Sequence, residues 1–225
     1  MTTLSAAWRS RFLRGRWICA VLVVSLALGA CTGCASNDAQ AAAESIEVGP
    51  AINEELEQID AAVLEEKSDD ARLVAIRTVF ELEPGDTARW QYVYVSRDQV
   101  REYTARFKKD EMVVDSVPQA ASLLASEMES IPDVSEIALD ADAAYDKALE
   151  ALEPGDEVKT LDAYLFTYVS DGSIEKVDAM TWYFVFNGTP PEQTEKEEYE
   201  DVAPTASYAI AVNAVTGDVK RVEVE

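Results

Sequence analysis

The chain has 225 residues, 19 basic against 43 acidic side chains, a formal net charge of -24 and no histidine. The missing imidazole excludes Ser-His-Asp and Cys-His catalysis and any histidine-ligated metal site. The acidic balance argues against nucleic-acid binding, which needs basic surface to neutralise phosphates.

Residues 1–30 contain no acid, and Arg9, Arg11, Arg14 and Arg16 precede an apolar stretch from Trp17 to Ala30. That stretch is shorter than the roughly 20 apolar residues of a membrane span and fits the h-region of a secretory signal. It ends Leu28-Gly29-Ala30-Cys31. Small residues before a cysteine, directly after an h-region, resemble the lipobox of bacterial lipoproteins. The resemblance implies cleavage before Cys31, a diacylglycerol group on its sulfur with palmitate among the acyl chains, and anchoring to the extracytoplasmic side of the cell membrane. The adjacent arginine pair of a twin-arginine signal is missing, so the general secretory route is expected. Cys19 leaves with the signal; with Cys31 lipidated, Cys34 is the only free thiol and no internal disulfide can form. Residues 31–50 read as a flexible tether, spanning about 25 Å on average and about 60 Å at full stretch.

The body follows. Ile52, Leu56, Ile59 and Val63 recur at helical spacing and predict a helix over about 51–67. Strands are predicted over about 72–81, over Trp90 to Ser96, and over Tyr103 to Phe107. Ser116 and Gln119 read as a capping box for a helix over about 117–130, with Val117, Ala121, Leu124 and Met128 as its stripe. Ile131-Pro132 ends it, which divides the body into residues 51–133 and 134–225. Asp140 reads as the cap of a helix over about 141–152, stopped by Glu153-Pro154-Gly155. Strands are then predicted over about 158–169, over Trp182 to Asn187, and over Tyr208 to Val212. An acidic loop, about 187–204, separates the last two.

The expected fold class is α+β, two copies of a module with one helix and a three- to four-stranded antiparallel sheet. Trp90-Gln91-Tyr92-Val93-Tyr94-Val95 resembles Trp182-Tyr183-Phe184-Val185-Phe186 and carries the repeat. A second match, Leu82-Glu83-Pro84-Gly85-Asp86 against Leu152-Glu153-Pro154-Gly155-Asp156, reads as one turn chemistry used twice. Ile137 to Asp140 leading into Ala143 to Leu149, the Trp182 strand, and the run Tyr208-Ala209-Ile210-Ala211-Val212-Asn213-Ala214-Val215-Thr216-Gly217-Asp218-Val219 are similar to PepSY-like domains. That family usually has Asp at the position of Asn213. The resemblance implies a closing hairpin around Thr216-Gly217, an envelope setting often beside peptidases, and an inhibitory or modulatory role. It brings no catalytic residues.

Strand alternation puts Trp90, Tyr92 and Tyr94 on one face, and Trp182, Phe184 and Phe186 on another. These read as core, or as an aromatic platform for an extended peptide. Arg97, Arg101, Arg106, Lys108 and Lys109 form a basic island, with Arg106 and Lys108 on one solvent-facing side. It reads as protection of a sheet edge, or as a docking patch for an acidic partner. The acidic loop has carboxylates for calcium but not the spacing of a calcium loop. No phosphate loop or nucleophile elbow is present, so the expectation is a non-enzyme without cofactor or metal. It would bind an envelope protein or peptidase; the competing expectation is a sensor of a small ligand or cation.

Overall fold

The computed structural model describes residues 38–119, 123–153, 156, 158–168, 178–188 and 206–223. Order begins earlier than the tether reading allows. Helix α1, Asp38–Glu44, is built on an alanine run, and alanine has the best helix propensity. Seven residues cannot hold a helix in water on their own, so packing must hold it. Ala43, Ile46, Val48 and Ala51 are all buried in the main core, and the hydroxyl of Tyr145 donates to the Ala43 carbonyl at 2.9 Å. Glu47 then bonds to the 86–88 backbone through its own N–H and C=O. Residues 38–51 therefore belong to the folded body. Their apolar pattern is too short to show a period.

Helix α2, Glu54–Glu66, begins after Asn53, whose side chain accepts the Glu55 N–H, and buries Leu56, Ile59, Ala62 and Val63. The expected first turn at 51–53 is absent, and the N–H groups of Ala51 and Ile52 are bound by the Asp140 carboxylate. Strands β1 (Arg72–Thr78), β2 (Trp90–Ser96), β3 (Arg101–Lys108) and β4 (Glu111–Pro118) follow. After a short helix α3, Ala125–Glu129, come α4 (Ala141–Glu150), β5 (Thr160–Phe166), β6 (Thr181–Gly188), β7 (Ala206–Asn213) and β8 (Val219–Glu223). Asp140 caps α4 as expected. Among the described residues no helix is long and apolar enough to cross a membrane.

The protein is α+β, and all eight strands form one sheet in the order β4-β3-β2-β1-β5-β6-β7-β8 with antiparallel neighbours throughout. The expectation of separate sheets is corrected at the centre, where β1 and β5 pair Ala75 with Phe166, Ile76 with Leu165 and Arg77 with Tyr164. The Thr167 N–H donates to Val74 O at 3.0 Å beyond one end of this seam, and Leu82 and Leu161 exchange two 2.8 Å backbone bonds beyond the other. β1 is apolar on both faces, through Leu73 and Ile76 on one and Val74 and Ala75 on the other, whereas β5 alternates, with Asp162 and Tyr164 opposite Leu161, Ala163 and Leu165.

One face of the sheet lies under α1, α2 and α4, and the largest core cluster fills that layer. The opposite face carries a smaller cluster around Val74, Val93, Val95, Phe166 and Tyr183, against which Leu123, Ile131 and Met128 pack. The connector between β4 and α4 thus covers part of this second face, but not as a helix over 117–130. Residues 111–118 form the edge strand β4, paired with β3 from Lys108↔Glu111 to Arg101↔Pro118. Ser116 lies in that strand and caps nothing, Leu124 is 66% exposed, and Ala121 lies outside the described residues. Met112, Val113, Val114 and Val117 suit a pleated surface, and Pro118 marks its end. The basic island on β3 is consequently not at a sheet edge; β4 and β8 are the edges.

Two turns repeat one chemistry, as expected. The Asp86 carboxylate accepts the Glu83 N–H at 2.8 Å, and the Asp156 carboxylate accepts the Glu153 N–H at 2.6 Å. The β7–β8 hairpin also follows expectation. Asn213 Oδ1 accepts the N–H groups of Val215 and Thr216 at 2.9 and 2.8 Å, so the amide takes over the turn-closing role an aspartate would have. Gly217 sits at φ +76, and a Cβ there would lie 3.2 Å from Leu139 and from Lys147, so both conformation and space favour glycine.

Asp70 ties α2, β1 and β2 together. Its carboxylate accepts from Ser68 Oγ at 2.6 Å, Ser96 Oγ at 2.5 Å, and the Arg97 and Asp98 N–H groups at 2.9 Å each. Burial pushes its pKa up, but these four donors outweigh burial and the net position is below the usual carboxylate range. A carboxyl depressed in the folded state stabilises fully above its unfolded pKa, and that contribution is lost as pH falls through the folded pKa. Urea titrations of wild type and Asp70→Asn should therefore differ most near neutral pH and converge in acid. A gap that stays constant down to pH about 2 would contradict the linkage.

Candidate functional site

The aromatic strands are core, and the alternative of an exposed platform does not hold. Trp182, Phe184, Phe186 and Tyr92 have no exposed surface, and Tyr94 and Trp90 keep 1% and 6%. Alternation aims all six at the helix layer, where Trp182 stacks on Phe184 and meets Trp90 edge-on. Their polar atoms are used internally. Tyr92 OH donates to Ala51 O at 2.8 Å, Tyr94 OH bonds to the Asp60 carboxylate, and Trp182 Nε1 donates to Leu139 O at 3.0 Å. Burial raises the pKa of Tyr92 and of Tyr94, with the Asp60 contact adding to the second. The structure thus corrects these six as partner-binding residues. Arg106 and Lys108 do point away from the helix layer, as expected. Arg106 is paired with Asp115 across to β4 at 2.9 Å, and Lys108 is exposed near the hairpin. Cys31 and most of the acidic loop lie outside the described residues.

The face opposite the α1, α2 and α4 layer offers a different surface, centred on the β1–β5 seam. Arg77 and Tyr164 are register partners there, and Arg77 Nε donates to Gln91 Oε1 at 2.6 Å. Next to them Glu81 accepts from Asn187 Nδ2 at 2.7 Å and from the Thr160 hydroxyl. Tyr164 stacks on Phe166, and Phe166 meets Tyr183 edge-on with ring centroids 5.9 Å apart. Burial, followed by the Asp162 charge, raises the Tyr164 pKa, while Arg77 opposes this. Tyr164 therefore stays a neutral phenol at physiological pH, able to donate and accept hydrogen bonds. Phe166 and Tyr183 are almost fully covered, whereas Tyr164 and Arg77 are half-buried. The result is a mixed polar and aromatic strip at the middle of the sheet, with Arg77, Gln91 and Tyr164 beside the ring of Phe166.

A second feature lies at the end of the sheet near the β3–β4 hairpin. There a cleft of about 420 Å³ opens between the 48–55 segment, the start of β2 and the hairpin tip. Among the described residues no group of three or more Cys, Asp or Glu side chains converges to hold a metal ion. Neither the strip nor the cleft is singled out by sequence. The strip depends on β1 meeting β5, and the cleft on residues 48–50 being folded. Arg77, Gln91 and Tyr164 carry one signal, polar side chains among apolar strand neighbours.

Family models, curated proteins and solved structures were all compared with this chain, and none of them matches it.

Proposed function

We propose that the chain is a membrane-anchored extracytoplasmic lipoprotein, built from two PepSY-like halves, that acts by binding and modulating another envelope protein or peptidase. The observation that carries this reading is Leu28-Gly29-Ala30-Cys31 placed directly after a basic and then apolar leader. The duplicated plan is supported by element order, since a helix followed by four antiparallel strands occurs twice, as α2 with β1–β4 and as α4 with β5–β8. Binding is supported by the central strip, with Arg77, Gln91 and Tyr164 presented on a rigid sheet rather than on a loop.

Metabolic labelling with palmitate tests the anchor. Wild type is expected to take up label and fractionate with membranes, and Cys31→Ser to do neither. Label retained by the variant would remove the reading. The binding role is tested by crosslinking in membranes, comparing wild type with Tyr164→Ala and with Arg77→Ala. Recovery of one envelope protein in near-equal amount, lost in either variant, is the expected result. Equal recovery by all three proteins would exclude the strip as the docking surface.

A further inference from the structure

The cleft beside the β3–β4 hairpin combines an apolar floor with a rim charged in both signs. Its floor is apolar, formed by Trp90, 6% exposed, and the half-buried Phe107. Its rim carries charge of both signs, with Arg89 and Lys109 as cations and Glu55 and Asp110 as anions, all four exposed. Among the described residues none of these four charges is joined to another in an ion pair. A volume of about 420 Å³ lies within the range of about 300–1,000 Å³ usual for small-molecule sites. The smaller cleft, of about 230 Å³, offers Glu44, Asp142 and Asp146 and so has charge of one sign only.

The walls include three backbone positions with positive φ. Gly49 at φ +61 turns the chain into the cleft wall. Lys109 and Asp110 both sit in the left-handed region at φ 52 and 63, which holds the two-residue hairpin in a tight turn. Non-glycine residues adopt that conformation at a cost, so the hairpin keeps Lys109 and Asp110 at the rim against local preference.

We infer that this cleft binds a small zwitterion with an apolar side chain, namely a free amino acid or a short unblocked peptide. Arg89 and Lys109 attract its carboxylate, Glu55 and Asp110 its ammonium group, and the Trp90–Phe107 floor takes the side chain. An aromatic floor adds contact area and, for an ammonium group over a ring, an attraction of its own. Exposed single charges contribute little each, so affinity is expected in the micromolar to millimolar range and to weaken with salt. The inference does not rest on lipid anchoring or on the central strip.

The test uses the full chain and the tripeptide Ala-Phe-Ala in four forms: free, N-acetylated, C-amidated, and blocked at both ends. Binding is followed by calorimetry and by tryptophan fluorescence. The free peptide is expected to bind, with each block weakening it about tenfold. Arg89→Gln with Lys109→Gln should abolish the distinction between free and amidated C-termini. Glu55→Gln with Asp110→Asn should abolish the distinction at the N-terminus. All four side chains are exposed, so the fold is expected to survive, and circular dichroism checks it. Absence of heat and of fluorescence change with the free peptide at millimolar concentration would overturn the inference. So would equal binding of all four forms, or unchanged preference in both double variants.

Discussion

Trp182→Ala is expected to destabilise the protein by about 3–5 kcal/mol, the usual cost of truncating a fully buried tryptophan. The side chain has no exposed surface. It stacks at 16° on Phe184, meets Trp90 at 61°, and donates its indole N–H to Leu139 O at 3.0 Å. Truncation leaves a large void between the sheet and the start of α4 and orphans the Leu139 carbonyl. Domains are stable by only about 5–15 kcal/mol, so such a loss is a large part of the whole. Urea denaturation followed by far-ultraviolet circular dichroism measures it. Lys108→Ala, exposed on β3, serves as the control and should stay within about 0.5 kcal/mol of wild type. A Trp182→Ala loss below about 1 kcal/mol would contradict the packing described.

Asp140→Ala is expected to cost about 2–4 kcal/mol, far more than a helix cap alone. One carboxylate accepts the Ala141 N–H at 2.6 Å, the Ala51 N–H at 2.8 Å and the Ile52 N–H at 3.1 Å. Alanine would leave three partly buried donors without acceptors at the junction of the N-terminal segment, α2 and α4. Asp140→Asn retains one acceptor oxygen and no charge, and should fall between. Hydrogen exchange supplies an independent readout, since the Ala51 and Ile52 amides should lose protection in the alanine variant. If both variants stay within about 0.5 kcal/mol of wild type, the junction is not held by this carboxylate.

These two residues also mark what could be read from the chain and what could not. Asp140 was legible as a cap, because an acidic residue before an apolar period is a local signal. Its bonds to Ala51 and Ile52 join residues 89 and 88 positions apart, and no local pattern reports such pairing. Trp182 was legible as a strand residue with a defined face. Which face the helices cover is a tertiary outcome, so the strand pattern favours core for the aromatic residues but does not by itself exclude a platform. The β7–β8 hairpin was legible because Asn213, Thr216 and Gly217 are turn formers at the required spacing.

The errors have equally local causes. The helix expected over 117–130 starts inside β4, because Val117 fits a helical stripe with Leu124 and Met128 as readily as it fits the pleat of Met112, Val113 and Val114. In 38–51, the alanine run and two alternating apolar residues were too brief to register. The merging of β1 with β5 left no sequence mark, since a seam strand and an outer strand of an antiparallel sheet can share one composition. The central strip around Arg77 and Tyr164 inherits that invisibility. Its members lie 87 positions apart and become neighbours only through the seam.

The early start of α1 has a mechanical consequence under the proposed anchoring. The leash expected over 31–50 would let the body roam; here helix α1 is already formed at Asp38, seven bonds of Cα trace from Cys31. At about 3.5 Å for each, the attachment point of the body stays within roughly 25 Å of the lipid headgroups. Such a body explores a thin layer rather than a deep volume. Its encounters would be with targets that present their own surfaces close to the bilayer, at an effective concentration set by that layer's thickness.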